Sequence, residues 1–168
     1  MDGLIVSGAR ELKQSVLFKR AARAASGFAA LGIGENGAVA LILRNDFAFF
    51  EAAMGAGLVG AYGVPVNWHF KADEAGYIIR DCGARAVVVH ADLLPQMREG
   101  IPAGVSVFVV PTPPEIRDTY GIAAEACVPA KEAVVWDDWV ARQKAWAEPP
   151  RPARTNMIYT SGTTGRPK

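Results

Sequence analysis

The sequence predicts an α/β fold: a largely parallel sheet with helices on its flanks. Three observations predict it. Ala38-Val39-Ala40-Leu41-Ile42-Leu43 and Val87-Val88-Val89 are unbroken apolar runs of strand length, the composition of strands buried on both faces. Helix-period patterns lie before and between these runs. The resulting order of strand, helix, strand, helix, strand is that of a sheet joined by crossover helices. With 168 residues, 51% of them hydrophobic and 21% charged, the chain is long enough and apolar enough for one domain with a core.

Leu17, Ala21, Ala24, Phe28 and Leu31 recur at helical spacing, with Ser15 as the expected cap and Gly32 as the stop. Lys19, Arg20 and Arg23 fall largely on the other side. Together with Lys13 they fit either an anion site or a solvated face, and the solvated face is preferred. The run from Ala38 to Leu43 is the first core strand. Asn45 or Asp46 then caps a helix over 47–59, whose apolar residues go nearly all round and predict burial. Residues 62–66 read as a short strand with Pro65 at its end. Residues 71–82 form an amphipathic helix with Ala75, Ile78, Ile79 and Cys82 on one face and Gly83 as terminator. A strand over 84–90, a short helix over 92–99 and a strand over 105–110 follow. Seven of the 11 prolines lie between Pro111 and Pro152, so 110–154 is a proline-rich connecting region. Surface loops are expected around Pro111–Pro114 and Pro149–Pro152, with a helix over 136–146 between them. Three of the four tryptophans are in that helix, placed to pack on the sheet rather than to stack on a ligand. The chain then re-enters the sheet as a strand at Asn156-Met157-Ile158-Tyr159.

The totals exclude several functions. A formal net charge of +1 gives no field to attract nucleic acid or an anionic membrane. The uncharged span 52–70 is broken by Gly55, Gly57, Gly60, Gly63, Pro65 and Asn67, so it is read as a buried helix running into a strand, not a membrane span. Cys82 and Cys127 match no metal or redox spacing and read as buried, reduced thiols, which suits the cytoplasm. His69 and His90 are candidate acid–base groups, but no partner constellation accompanies either, and a surface or strand-end position is expected. Asp137-Asp138 could bind metal; a helix start, where negative charge is favoured, is the simpler reading.

Two glycine-rich stretches suggest nucleotides and differ in worth. Gly32-Ile33-Gly34-Glu35-Asn36-Gly37 satisfies G-x-G-x-x-G, but it follows a helix and opens a strand. The dinucleotide fingerprint needs the opposite order, so this one reads as a helix stop and a turn. The second stretch is Tyr159-Thr160-Ser161-Gly162-Thr163-Thr164-Gly165-Arg166-Pro167-Lys168. It is not a Walker P-loop, because Arg166 and Pro167 separate the second glycine from the lysine. Its chemistry still suits phosphate. Glycines let backbone approach a ligand and form an anion-binding nest. Thr160, Ser161, Thr163 and Thr164 add hydroxyls, and Lys168 adds a compact cation.

This second stretch resembles the phosphate-binding signature of the adenylate-forming superfamily, which includes acyl-CoA synthetases, peptide-synthetase adenylation domains and luciferases. Each position through Lys168 agrees with its usual form. Upstream, Ala29-Ala30-Leu31-Gly32-Ile33, Val39 to Asn45, Gly60 to Trp68 and Glu74 to Val89 are also similar, with Asp81-Cys82-Gly83-Ala84-Arg85 at a joint. Asn67-Trp68 looks more like acyl- or aryl-CoA synthetases than peptide synthetases. The resemblance implies that residues 1–168 are a partial N-terminal AMP-binding domain, with 156–168 as strand plus phosphate-binding loop. It further implies that the C-terminal domain, the acyl pocket and the adenine contacts are absent. The implied reaction joins a small carboxylic acid to coenzyme A at the expense of ATP, with Mg²⁺ assisting. The implied nucleotide-binding residues are Thr160, Ser161, Gly162, Thr163, Thr164, Gly165 and Lys168, with Thr160 also on Mg²⁺. No catalytic residue is implied within the chain. A non-catalytic α/β module that self-associates as a homo-oligomer is the alternative. A nicotinamide-dependent enzyme is disfavoured by the reversed glycine turn.

Overall fold

A computed structural model of the chain describes residues 2–152, 154 and 157–160. Its centre is a four-stranded parallel sheet. The chain first forms a hairpin that the sequence pattern did not announce: β1 (Leu4–Ser7) pairs antiparallel with β2 (Arg10–Lys13), and Gly8 turns between them at φ +60°. Each hairpin strand is only four residues, too short for alternation to stand out. Helix α1 (Gln14–Ala30) follows. Leu17, Ala21, Ala24 and Phe28 are buried as expected. Ser15 is not its cap; it lies inside the first turn. Asp2 reaches back instead, accepting from the Ser15 amide at 3.1 Å and the Ser15 hydroxyl at 2.6 Å. Those two bonds hold the Asp2 carboxyl below its ordinary value. Gly32, at φ +72°, stops α1, and its N–H donates to the Ala29 carbonyl.

The sheet contains β3 (Ala38–Ile42), β4 (Tyr62–Pro65), β5 (Ala84–His90) and β6 (Ser106–Val110), in the spatial order β4-β3-β5-β6, all neighbours parallel. Successive side chains on a strand face opposite ways, so two cores form. On one face Val39, Leu41, Val88, Phe108 and Val110 pack with α1, α2 (Phe47–Leu58) and α6 (Trp136–Arg142). On the other, Ala38, Ala40, Ile42, Val87 and Val89 pack with α3 (Ala72–Asp81) and α4 (Leu94–Met97), which runs on as a 3-10 turn over Arg98–Gly100. Among the described residues no helix is long and apolar enough to cross a membrane.

Several expectations meet differences with simple causes. Helix α2 is less buried than its composition suggested: Phe50 is 45% exposed, because α1 and the sheet cover only part of its circumference. The expected loop around Pro111–Pro114 turns directly into a helix, α5 (Pro114–Tyr120), with Pro114 in the first helical position, where proline's fixed φ is favourable. Helix α6 ends at Arg142 rather than near Trp146. The Gln143 side chain donates to the Trp139 carbonyl at 3.0 Å, and the Trp146 amide donates to Ala22 of α1 at 2.9 Å, so the backbone leaves the helix and lies on α1. Trp136 and Trp139 do pack in the core, against Phe28 and Phe108. Arg20 is not merely solvated. It pairs with buried Glu51 at 2.5 Å and with Asp137, whose place in the first turn of α6 is the expected one.

The expected strand at Asn156–Tyr159 is not formed by its described residues: Met157, Ile158 and Tyr159 are in no ladder. The route explains why. The Arg151 amide donates to Leu58 at the end of α2, Arg154 pairs with Glu35 ahead of β3, and the Tyr159 hydroxyl donates to Asp81 at the end of α3. Each anchor lies just before a strand begins. Arg151, Arg154 and Tyr159 are therefore tied in turn near the amino ends of β4, β3 and β5 rather than beside an edge strand.

Candidate functional site

The two ends of the sheet carry different chemistry. At the carboxyl ends, strand order creates a switch point. From β3 the chain moves to β4 on one side and returns to β5 on the other, so the connections after β3 and β5 diverge. In open α/β sheets such a crevice is where ligands bind. Here it holds a network of charged groups supplied by the segments after β3, β5 and β6.

Asp46, directly before α2, is only 3% exposed. Its Oδ1 accepts from the Phe47 amide at 2.7 Å and from Arg10 of the hairpin at 2.5 Å. Its Oδ2 lies 3.3 Å from His90 Nε2. Burial pushes the Asp46 carboxyl up, but hydrogen bonds and charge from His90 and Arg10 outweigh it and hold it below the ordinary carboxylate value. Arg10 also reaches Glu115 of α5 at 2.5 Å. Burial lowers the Arg10 guanidinium pKa, and the two carboxylates more than reverse this, so the group stays charged.

His90 was expected at a surface or a strand end. It is at the end of β5 and fully buried. Its Nδ1 accepts from the Arg44 amide at 3.2 Å, which requires that nitrogen to be unprotonated. Nε2 then carries the proton and donates it to Asp46. Both ring nitrogens are occupied, so this histidine–carboxylate pair offers no nitrogen to a substrate and acts as a structural tie between β5 and α2. Beside it Arg44, 7% exposed, makes a two-pronged pair with Asp92 at 2.8 and 3.0 Å. Its guanidinium sits 4.5 Å from the Trp68 ring and 4.8 Å from the Tyr120 ring. Thr112 donates to Asp92 at 2.5 Å. The protein's own charge pairs thus tie the segments of the crevice together, and a cavity of about 430 Å³ lined by Arg10, Asp46, Glu51 and Thr112 lies beside them. Sequence reasoning missed this network because its members lie on four separate segments. The available signal was a polar residue at or within two residues of the ends of β3, β5 and β6: Arg44, His90-Ala91-Asp92 and Thr112. The other histidine, His69, is exposed and stacked on Trp68 at 3.5 Å, as a surface histidine.

The amino ends of the strands carry the route to the hydroxyl- and glycine-rich stretch. Thr160 is described and is exposed. Ser161, Gly162, Thr163, Thr164, Gly165 and Lys168 lie outside the described residues. Just upstream, the Tyr159 phenol donates to Asp81 Oδ2 at 2.6 Å, and Met157 and Tyr159 pack against the core that contains α3. Burial and the Asp81 hydrogen bond push the Tyr159 phenol well above its usual range. Cys82 and Cys127 are free thiols, both raised in pKa chiefly by burial, which makes them poor nucleophiles.

Comparison with known proteins gives this arrangement a context. The chain is 28% identical over 172 residues to crotonobetaine/carnitine–CoA ligase of Proteus mirabilis, covering 95% of this chain and 30% of that protein. It is 30% identical over 168 residues to feruloyl-CoA synthase of an Amycolatopsis species, covering 96% of this chain and 28% of that one. Among solved structures, anthranilate CoA ligase AuaEII in complex with anthranoyl-AMP superposes with a TM-score of 0.78 at 23% identity, over 96% of this chain and 30% of that chain. The chain therefore spans less than a third of the length of these proteins. The family model described as AMP-binding enzyme matches residues 5–168, from the hairpin to the terminal lysine, and the chain belongs to that adenylate-forming family.

Proposed function

We propose that residues 160–168 bind the phosphates of ATP, and that the chain contributes this part of an acid–CoA ligase. In that reaction a carboxylate displaces pyrophosphate from ATP to give an acyl-adenylate, and the thiol of coenzyme A then displaces AMP to give a thioester. The observation that carries the reading is the family match running through the whole hydroxyl, glycine and lysine stretch. ATP supplies the leaving group that a carboxylate lacks. The chain's own part is to orient and neutralise. Gly162 and Gly165 admit the phosphates close to backbone N–H groups. Thr160, Ser161, Thr163 and Thr164 donate hydroxyl hydrogen bonds, and Lys168 balances charge on the departing pyrophosphate. Mg²⁺ takes about six oxygen ligands and keeps several waters. The exposed Thr160 hydroxyl fits as one ligand beside phosphate oxygens, not as part of a protein cage. The free thiols Cys82 and Cys127 suit action in the cytoplasm.

The same reading makes residues 1–168 insufficient for ligation, because they equal less than a third of the length of the CoA ligases they match. In an ATP–pyrophosphate exchange assay with a panel of carboxylic acids, the purified chain is expected to show no turnover. Turnover that disappears in Lys168→Ala would contradict this and place the chemistry within these residues.

A further inference from the structure

We propose that Asp81 is a positioning residue for nucleotide binding, acting through Tyr159. The proposal rests on the reading that residues 160–168 bind ATP phosphates. Asp81 is the last residue of α3, a helix anchored by buried Ala75, Ile78 and Ile79. A carboxylate there faces the negative end of the helix dipole, a placement that the dipole opposes. What it gains is the 2.6 Å hydrogen bond from the Tyr159 phenol, a charge-assisted bond of the strong kind. Tyr159 immediately precedes Thr160. The bond therefore fixes the chain to the body of the domain one residue before the first proposed phosphate contact.

The two looser ties upstream cannot replace it. Arg154 reaches an exposed Glu35 at 3.2 Å, and the Arg151 amide bond to Leu58 lies nine residues before Thr160 by sequence number. Tyr159 and Met157, by contrast, also rest on the core containing Ile78 and Ile79, so the Asp81 bond sets the direction of a segment whose ring is already seated. Holding that residue in one place pre-organises the entry to the proposed phosphate contacts and so lowers the cost of binding.

The test compares Asp81→Ala, which leaves no acceptor for the phenol, with Tyr159→Phe, the double variant and Lys168→Ala in the 168-residue chain. Mg·ATP affinity is read by calorimetry, and amide exchange is read at Ile158 and Thr160. Asp81 is exposed and Tyr159→Phe keeps the ring, so both variants should fold. Each single variant is expected to weaken Mg·ATP binding by about 3- to 10-fold, the range one hydrogen bond supplies. The double variant should be no weaker than either single one, because both remove the same bond, and exchange should accelerate in all three. Wild-type affinity in Asp81→Ala and Tyr159→Phe, alongside a loss in Lys168→Ala, would overturn the role of Asp81 alone. Wild-type affinity in Lys168→Ala would instead overturn the phosphate reading. No Mg·ATP binding by the wild-type chain would overturn both.

Discussion

Replacing Asp46 with alanine is expected to destabilise the fold by about 3–5 kcal/mol, the cost typical of removing one partner from a buried charge pair. The size follows from what the side chain does. Its two oxygens cap α2, hold the hairpin through Arg10, and accept the proton of buried His90. Alanine leaves the imidazole N–H without an acceptor and removes one of the two carboxylates that hold Arg10. Asp46→Asn keeps an oxygen for the Phe47 amide and should cost less. Urea denaturation at about pH 7 measures both. The effect also has a pH signature. The folded carboxyl lies below its ordinary value of 3.8, so its contribution is fully present above that pH. It is lost as the pH falls below that value, through the folded pKa. Wild-type stability should therefore fall more steeply on acidification than that of Asp46→Asn.

Trp136→Ala should be as costly, about 3–5 kcal/mol, the usual range for emptying a buried large aromatic site. Trp136 is fully buried, with ring centroids of Trp139, Phe28 and Phe108 at 5.4, 6.0 and 6.1 Å. It also ties α6 to α2, because its indole N–H donates to Glu51 Oε2 at 2.8 Å while Arg20 of α1 holds the same carboxylate. Burial lowers the Arg20 guanidinium pKa, but Glu51 and Asp137 more than reverse it. Trp136→Phe separates the two roles: it keeps most of the packing and loses the hydrogen bond. Chemical denaturation of both variants should place phenylalanine well above alanine. Equal losses would mean that the Glu51 tie, not the ring, dominates.

The sheet was legible because its evidence is continuous in sequence. Unbroken runs such as Val87-Val88-Val89 and the clean face of α3 report burial directly, and Gly32 and Gly83 mark the ends of their helices with positive φ. The hairpin was not legible, because its attachment depends on Arg10 meeting Asp46 and Glu115, residues 36 and 105 positions away. Proline richness misled at Pro114, where the ring starts a helix instead of breaking one. The apolar stretch before Thr160 has the composition of a strand, but the three anchors at Leu58, Glu35 and Asp81 decide its course. The switch-point network was invisible for the same reason as the hairpin. Each member is an ordinary polar residue at or near a strand end, and only the fold brings them together. The candidate phosphate stretch was the reverse case, legible as a compact motif.

The most direct measurement compares the affinity of the chain for Mg·ATP and for Mg·tripolyphosphate, with and without Lys168. If the stretch after Tyr159 grips phosphates and the adenine contacts lie elsewhere in the family's length, the two ligands should bind within about threefold of each other, and Lys168→Ala should weaken both by about tenfold, the loss of one charge-assisted hydrogen bond. Equal affinities in wild type and Lys168→Ala would contradict the account.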